Sequence, residues 1–276
     1  MIRVRDLVKR FGGRAVLDGV NLDVLPGETM VIMGGSGCGK STLLRHMIGS
    51  VWPDEGTVEL FGKDLSALRD DELDEVRKRF GILFQSGALF NSMTVGENVA
   101  LPLREHTDLD GGTIGIMVRI KLELVGLLDA MDLMPAEISG GMKKRAGLAR
   151  ALALDPEVLF YDEPSAGLDP VTSAEIDQLI IDLSRKLNVT SVVVTHEMDS
   201  AFRIADRMAM LDKGRMLKVS ARQEFQAIRD GPPAGDETLD LVRQFLRGDP
   251  EGPITRRRKE SGRFEEEILE AAEGRW

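Results

Sequence analysis

The spacing of apolar residues divides the chain into three kinds of segment. Residues 1–80 alternate short apolar runs with turns, which is typical of strands in a meander. Residues 85–152 repeat apolar positions at helical spacing, including a stripe formed by Leu122, Val125, Leu127 and Leu128. Residues 155–219 return to alternating strands and helices. The pattern predicts an α/β chain in which a helical subdomain, about residues 86–152, interrupts the sheet-forming part.

The apolar run at residues 30–33 predicts a buried strand that leads into a phosphate loop. The pattern G-x-x-x-x-G-K-[ST] is complete in Gly34, Gly35, Ser36, Gly37, Cys38, Gly39, Lys40 and Ser41. A helix is predicted from Thr42, and its N-terminal N–H groups would point at phosphate. We therefore expect this loop and Thr42 to bind a nucleoside triphosphate, with Lys40 reaching the outer phosphates and Ser41 ligating Mg²⁺.

A second apolar run, residues 158–161, predicts a central parallel strand that ends in two carboxylates. Asp162 at the strand tip is placed to hold Mg²⁺, and Glu163 is placed to polarise the attacking water. Phosphoryl transfer depends on positioning and charge neutralisation. Together with Lys40, the two carboxylates therefore predict nucleotide hydrolysis.

Another anion-binding helix terminus is predicted at Ser139, Gly140 and Gly141. Ser139 is a good N-cap residue, and the two glycines expose backbone N–H groups. Because residues 34–41 already supply one phosphate site, this terminus is expected to serve the nucleotide of another subunit. The alternative, an ordinary capped surface helix, stays open on these residues alone.

Composition and charge limit the classes of binding partner and the cellular compartment that are expected for this 276-residue chain. It carries 46 acidic and 36 basic residues, a net charge of −10 that argues against nucleic acid as the main partner. Its single cysteine, Cys38, lies in the phosphate loop and fits a reducing cytosol. No apolar run approaches the roughly 18–20 residues of a membrane span, so we expect membrane association only through a partner.

Residues 221–276 are predicted to form a C-terminal extension. Leu239, Leu241, Val242, Phe245 and Leu246 lie at near-helical spacing, and Gly and Pro residues at 248–253 break that helix. The basic run at 256–259 is expected to be a solvated segment or a contact to anionic lipid. The final stretch is expected to be disordered or to dock on a second subunit.

The order of these motifs resembles that of ATP-binding-cassette (ABC) ATPases over about residues 1–220. The phosphate loop, Gln85, the segment 139–141, Asp162 with Glu163, the segment 165–169 and His196 appear in family order. The resemblance implies a P-loop NTPase fold with a RecA-like core, an antiparallel β subdomain and an α-helical subdomain. It also implies a homodimer that clamps ATP between residues 34–41 of one chain and 139–141 of the other.

The resemblance implies further roles, residue by residue. Phe11 resembles the aromatic residue that stacks on adenine, although a plain core Phe stays an alternative. Gln85 resembles the glutamine that senses Mg²⁺ and the attacking water, and Asp169 the residue that couples the two sites of the dimer. His196 matches the switch histidine at the γ-phosphate. Met142 stands where Gln is often found, which removes any contact of that Gln side chain.

The segment 84–103 indicates where a partner protein would dock. Leu89, Phe90, Met93 and Val95 are expected to be exposed and to suit docking of a helix, with filling of the subdomain core as the alternative. In the family this region, near residues 85–103, borders the groove for a membrane permease. The sequence of residues 85–90 and that of the tail resemble those of the ATPases of Mla/MCE-type phospholipid transporters. That resemblance implies a peripheral protein on the cytoplasmic side of the bacterial inner membrane, with an MCE-domain lipid-binding partner.

Two other functions stay open from the sequence. One is the ATPase of an importer for a small polar solute. The other is an ABC ATPase without a transport role, which regulates cell-wall remodelling or handles nucleic acid. The 98 residues between Lys40 and Ser139 leave no room for a long coiled coil, which weighs against the nucleic-acid alternative.

Overall fold

A computed structural model describes residues 1–255 and confirms the predicted α/β class. Its strands are, in chain order, β1 (Ile2–Phe11), β2 (Arg14–Val24), β3 (Thr29–Met33), β4 (Glu55–Leu60), β5 (Lys63–Asp64), β6 (Phe80–Leu83), β7 (Val158–Asp162), β8 (Thr190–Thr195), β9 (Arg207–Asp212) and β10 (Arg215–Ala221). Its α-helices are α1 (Lys40–Met47), α2 (Asp70–Arg77), α3 (Val95–His106), α4 (Gly111–Leu124), α5 (Gly140–Ala151), α6 (Pro170–Leu187), α7 (Met198–Ile204), α8 (Arg222–Asp230) and α9 (Glu237–Arg247).

The strands of the described residues form two sheets. One sheet has the order β2-β1-β4-β5, and its paired strands are antiparallel. The other has the order β10-β9-β3-β8-β7-β6, and the pairs from β9 through β6 are parallel. β3 is buried at every residue, as expected for a central strand covered on both faces.

The parallel sheet places the predicted functional segments at one edge. In a parallel sheet the carboxyl ends of neighbouring strands meet at the same edge, where ligands of open α/β sheets bind. Met33 pairs with Thr195, and Asp162 pairs with Val194. The phosphate loop after β3, the carboxylates after β7 and the histidine after β8 therefore lie together.

Local signals explain where the helices begin. Thr94 caps α3 and exchanges hydrogen bonds with Glu97, so α3 starts with a capping box. Asp169 caps α6, and Pro170 occupies the first helical position, which suits a residue without an N–H donor. Both starts are visible in the sequence because a cap and its helix lie within four residues of one another.

Of the four side chains expected to be exposed in the segment 84–103, three are not. Val95 has no exposed surface, because it begins α3 and packs inside the helical segment. Leu89 and Met93 are half-buried, whereas Phe90 is 51% exposed. The stripe at 122–128 also does not lie on one helix, because α4 ends at Leu124 and Leu128 falls in a separate 3₁₀ turn, Leu128–Ala130.

The described residues divide into two compact units, of which the first is Met1–Val219 and the second begins at Ser220. Within the second unit, α9 buries Leu241, Val242 and Leu246, as the spacing predicted, and Gly248 ends the helix in the left-handed conformation. The predictions for the basic run at 256–259 and for the final stretch lie outside the described residues.

Candidate nucleotide-binding site

Close backbone packing requires glycine at both ends of the phosphate loop. Gly34 has φ +154° and Gly39 has φ +112°, values that L side chains rarely adopt. A Cβ at Gly34 would lie 2.1 Å from Leu211 O, and one at Gly39 would lie 2.9 Å from Val16 O. Gly39 caps α1 without a side-chain hydrogen bond, so the helix N-terminus faces the loop with its backbone. This is the arrangement that binds phosphate.

The lysine of the loop lies within it. Lys40 is only 8% exposed, and its Nζ donates hydrogen bonds to Gly34 O at 2.8 Å and Gly35 O at 3.0 Å. The positive charge is therefore placed at the centre of the curved backbone. The Cys38 thiol is buried beside it, and this burial raises its pKa, so the group is a neutral part of the wall.

Two hard oxygen donors meet beside the loop. Ser41 Oγ, in the first turn of α1, donates to Asp162 Oδ1 at 3.5 Å. Burial raises the pKa of Asp162, and the neighbouring Glu163 charge adds to that effect, while Ser41, Arg45 and Lys40 oppose it. A half-buried carboxylate beside a hydroxyl is a donor set that fits Mg²⁺, whose charge would favour the ionised form.

Glu163 and His196 contact each other directly. The two atoms Nδ1 of His196 and Oε1 of Glu163 are 2.9 Å apart, and the His196 backbone N–H donates to Oε2 at 3.3 Å. Glu163 has φ +51°, a left-handed conformation that costs a non-glycine residue about 1–3 kcal/mol. Its side chain is only 12% exposed, whereas His196 is largely exposed. The carboxylate is thus held with one orientation beside Asp162.

Sequence reasoning missed Lys144, which also reaches this cluster. Its Nζ donates a hydrogen bond to Glu163 O at 3.0 Å. Burial lowers the pKa of Lys144, while the carboxylates of Glu163, Glu197 and Asp162 oppose that shift. One signal was available, since Gly141, Lys144 and Leu148 follow the i, i+3, i+7 spacing of a buried helix face.

Gln85 and Phe11 lie on separate elements. Gln85 comes two residues after the end of β6, whose Leu83 pairs with Tyr161 of β7, so it follows the same sheet edge as Asp162. No hydrogen bond joins the Gln85 side chain to Asp162 or Glu163 in the part of the chain that the structure describes. Phe11 ends β1 with about half of its surface exposed, and Lys9 Nζ lies 5.5 Å from its ring centroid.

The segment 139–141 begins α5 as predicted. Ser139 Oγ accepts a hydrogen bond from Met142 N at 3.2 Å, and both Ser139 and Gly140 are exposed. A Cβ at Gly141 would lie 2.6 Å from Thr172 Cγ2, so glycine lets α5 approach α6. Among residues 1–255, no hydrogen bond or ion pair joins this segment to the phosphate loop of its own chain.

Asp169 is bound within its own helix. Its Oδ1 accepts hydrogen bonds from Val171 N and Thr172 N, and its Oδ2 accepts one from the Thr172 hydroxyl at 2.6 Å. The Thr172 hydroxyl bond is the main reason why the pKa of Asp169 is lowered. Asp169 and Gly141 therefore share Thr172 as a neighbour.

An open groove of about 790 Å³ lies beside the segment after β6. Its apolar wall includes Phe80, Ile82, Phe84, Phe90, Leu101 and Pro102. Arg150 of α5 holds the segment, since its guanidinium donates to Ala88 O at 2.8 Å and Gly87 O at 3.1 Å. Asn98 fixes the next turn by hydrogen bonds with both backbone groups of Phe90. The backbone beside the groove is therefore held in place by hydrogen bonds from Arg150 and Asn98.

No helix among residues 1–255 is long and apolar enough to cross a membrane. Two exposed aromatic side chains, Phe84 and Phe90, line the groove described above.

Comparison with known proteins finds a family profile and relatives that match most of this chain. The ABC transporter family profile matches residues 17–166. The intermembrane phospholipid transport system ATP-binding protein MlaF of Haemophilus influenzae is 42% identical over 254 residues, which cover 92% of this chain and 93% of that protein. The MlaF protein of Escherichia coli is 44% identical over 255 residues, with 92% and 91% coverage.

Another relative carries a different name. The probable ribonucleotide transport ATP-binding protein mkl of Mycobacterium leprae is 44% identical over 253 residues, covering 92% of this chain and 70% of that protein. Among solved structures, the dimeric ATP-binding cassette MJ0796 in a post-hydrolysis state with ADP and Pi has a TM-score of 0.74. It is 32% identical and covers 80% of this chain and 99% of the cassette.

Proposed function

This chain belongs to the ABC transporter family as an ATP-hydrolysing cassette, and we propose that it powers transport of phospholipids or other hydrophobic molecules between membranes of the bacterial envelope. One observation carries the proposal. The similarity to MlaF of Haemophilus influenzae extends over 93% of that protein, whereas the chain spans only 70% of mkl. The correspondence with the phospholipid-transport proteins therefore includes nearly their full length.

A second candidate function is the ATPase of a transporter for a small polar solute. It is supported by the 44% identity to mkl, which is named for ribonucleotide transport. Both candidates use the same ATP chemistry and differ in the molecule that the membrane partner carries.

For ATP binding, we assign the phosphates to residues 34–42. The backbone of the loop and the buried Lys40 supply positive potential at the N-terminus of α1. Phe11, exposed at the end of β1, supplies an aromatic face for adenine. Ser41, Asp162 and Gln85 would hold Mg²⁺, which when bound neutralises charge on the phosphate oxygens.

For hydrolysis, we assign the central role to Glu163. Its carboxylate orients the attacking water and accepts a hydrogen bond from it. His196 holds that carboxylate through Nδ1 and, because its ring is exposed, can also face the γ-phosphate. Lys40 stabilises charge that develops on the phosphate oxygens. Gln85 follows the same sheet edge and would contact the water as well as Mg²⁺.

We propose that the complete site needs two copies of the chain. Ser139, Gly140 and Gly141 present a second capped helix terminus, which would contact the ATP held by the partner copy. Asp169 lies next to that terminus through Thr172 and would couple the two sites. The dimeric state of the MJ0796 cassette supports this arrangement.

The groove beside Phe84 and Phe90 is proposed to receive a helix of an integral membrane permease. Its aromatic wall and braced backbone suit an amphipathic helix. An MCE-domain lipid-binding protein would complete the complex. The chain would then lie on the cytoplasmic side of the inner membrane as a peripheral subunit.

The test is to purify the tagged chain from detergent-solubilised membranes of its own host and to reconstitute what copurifies in liposomes. ATP-dependent movement of a fluorescent phospholipid is expected, with the Lys40→Ala variant as control. A permease with an MCE-domain protein in the complex supports lipid transport. A permease with a solute-binding protein, and ATP-dependent uptake of ribonucleotide without lipid movement, would favour the second candidate.

A further inference from the structure

Lys144 is a buried lysine whose ammonium group binds the backbone of Glu163, the residue that we assign to catalysis. It is only 5% exposed and lies on the inner face of α5, between Gly141 and Leu148. The carboxylates of Glu163, Glu197 and Asp162 all act on its ammonium group. A buried ammonium is costly unless it is paired, so this position needs the negative cluster around it.

The ammonium binds the backbone, and not the side chain, of Glu163. Lys144 Nζ donates to Glu163 O at 3.0 Å, and Ala166 N donates to the same oxygen at 3.2 Å. On the other side of the residue, Glu163 N donates to Val194 O at 2.9 Å. Both backbone groups of Glu163 are therefore held.

These bonds hold a conformation that Glu163 would not adopt readily by itself. Its φ of +51° turns the chain away from the extended path of β7 and directs the carboxylate toward His196. A strained backbone of this kind persists only where surrounding contacts over-determine it. Val194 lies on the neighbouring strand β8 and Ala166 lies after β7, whereas Lys144 is the contact supplied by α5.

We propose that Lys144 is a positioning residue for Glu163, which fixes the peptide that aims the carboxylate at the attacking water. The proposal rests on the function assigned above to Glu163. Because α5 also begins with Ser139, the same rigid helix links the terminus that faces the partner's ATP to the carboxylate that acts in its own chain. A displacement of α5 therefore changes the orientation of the Glu163 carboxylate.

The first test is Lys144→Met, which keeps most of the side-chain volume and removes the charged donor. We expect kcat for ATP hydrolysis to fall about 10- to 100-fold, the range expected when a reacting group is misplaced. The Kd for a fluorescent ATP analogue is expected to stay within about twofold, because the phosphate loop is intact. Lys144→Arg keeps a charged donor and is expected to restore most of kcat.

Lys121→Met is the matched control. Lys121 is also 5% exposed, but it pairs with Asp155, which precedes β7, whereas the carboxylates that we assign to catalysis lie at the opposite end of that strand. Its loss is expected to lower the thermal midpoint while kcat of the folded fraction stays unchanged. A kcat that falls equally in Lys121→Met and Lys144→Met would show a general effect of buried lysine loss and would overturn the proposal.

A double variant separates positioning from structure. Glu163→Gln alone is expected to bind ATP and to hydrolyse it very slowly. If Lys144 acts through Glu163, adding Lys144→Met to Glu163→Gln leaves the residual rate unchanged, because residues that act as a unit are non-additive. A further fall by the full single-variant factor contradicts the proposal.

Two more outcomes are decisive. Wild-type kcat in Lys144→Met, with Glu163→Gln inactive, overturns the positioning role but leaves the assigned site intact. Wild-type kcat in Glu163→Gln overturns both. If Lys144→Met does not fold, Lys144→Gln serves instead, since its amide is polar but too short to reach Glu163 O, and the same loss of kcat with retained Kd is expected.

Discussion

The N-termini of α1 and α5 carry similar glycine-rich sequences but are built in different ways. At α1 the cap is Gly39 in a left-handed conformation, no side chain caps the helix, and Lys40 is buried over the loop. At α5 the cap is Ser139, which uses its own hydroxyl to bind Met142 N, and the terminus is exposed. The first terminus is enclosed by its own chain, and the second is presented outward.

The glycines of the two regions also differ in purpose. Gly34 and Gly39 are required because of positive φ and because backbone oxygens lie close to where a Cβ would be. Gly141 is required because the Thr172 side chain packs against it, while Gly140 meets only Leu168, at an ordinary 3.6 Å. The comparison teaches that the first terminus is shaped by its own backbone, as the proposed phosphate site requires, whereas the second packs on α6 and stays exposed, as the proposed contact to a partner copy requires.

The largest expected effect comes from breaking the α1 cradle. In Lys40→Ala the buried positive charge over the loop is lost, so binding of ATP and stabilisation of its phosphates both fail. We expect kcat/KM to fall at least about 100-fold, the scale seen when one charge-stabilising donor is removed from a site. Fluorescent-nucleotide binding and phosphate release measure it, with the exposed Lys63→Ala as control. Normal turnover by Lys40→Ala would remove the phosphate assignment.

A smaller effect is expected at the α5 terminus, and it should appear in hydrolysis and not in binding. Ser139→Ala removes the cap, which costs about 1 kcal/mol of stability. Its proposed contact to the partner's ATP is lost as well, so kcat falls while ATP binding by the single chain is retained. Steady-state hydrolysis and ATP-dependent light scattering measure this difference.

The control for Ser139→Ala is Asp110→Ala, which removes the cap of α4. Asp110 accepts hydrogen bonds from Gly112 N and Thr113 N, so the loss to its helix is comparable. It is expected to lower the thermal midpoint without lowering kcat. Equal losses of kcat in both variants would reduce the role of Ser139 to helix capping.

The packing difference between Gly140 and Gly141 predicts a stability effect. Gly141→Ala places a Cβ 2.6 Å from Thr172 Cγ2, so α5 and α6 must separate, at a cost of about 1–3 kcal/mol. Gly140→Ala meets no close contact and is expected to be neutral or slightly stabilising. Chemical unfolding of the pair measures the difference, and equal stability would show that Thr172 simply rotates away.

The smallest effect concerns the charge of Asp169. The pKa of this carboxyl is lowered below its ordinary 3.8, so its ionised form stabilises the folded chain above that pH. The contribution is lost as pH falls through the lowered pKa. Asp169→Asn keeps a good cap without the charge, so wild type is expected to be more stable at pH 7, with the advantage shrinking below pH 3.8. Thermal unfolding against pH measures it, and a constant difference would contradict the linkage.

Sequence patterns alone determined much of this protein, because the signals are local. The loop before Lys40, the cap at Ser139 and the strand before Asp162 are each specified within a few residues. The order of these motifs along the chain also indicated the ABC family, which the profile match and relatives confirm. Hydrogen bonds and steric limits between near neighbours act in any context, so such features can be read from the chain itself.

Only the tertiary structure decided which distant residues meet. Val95 looks exposed in its loop but is buried once α3 packs, and Lys144 looks like one more solvated lysine until α5 is placed against Glu163. His196 and Glu163 are 33 residues apart, and parallel pairing of β7 with β8 joins them. Burial and long-range hydrogen bonds depend on how elements pack, and local periodicity carries no information about the partner across the interface.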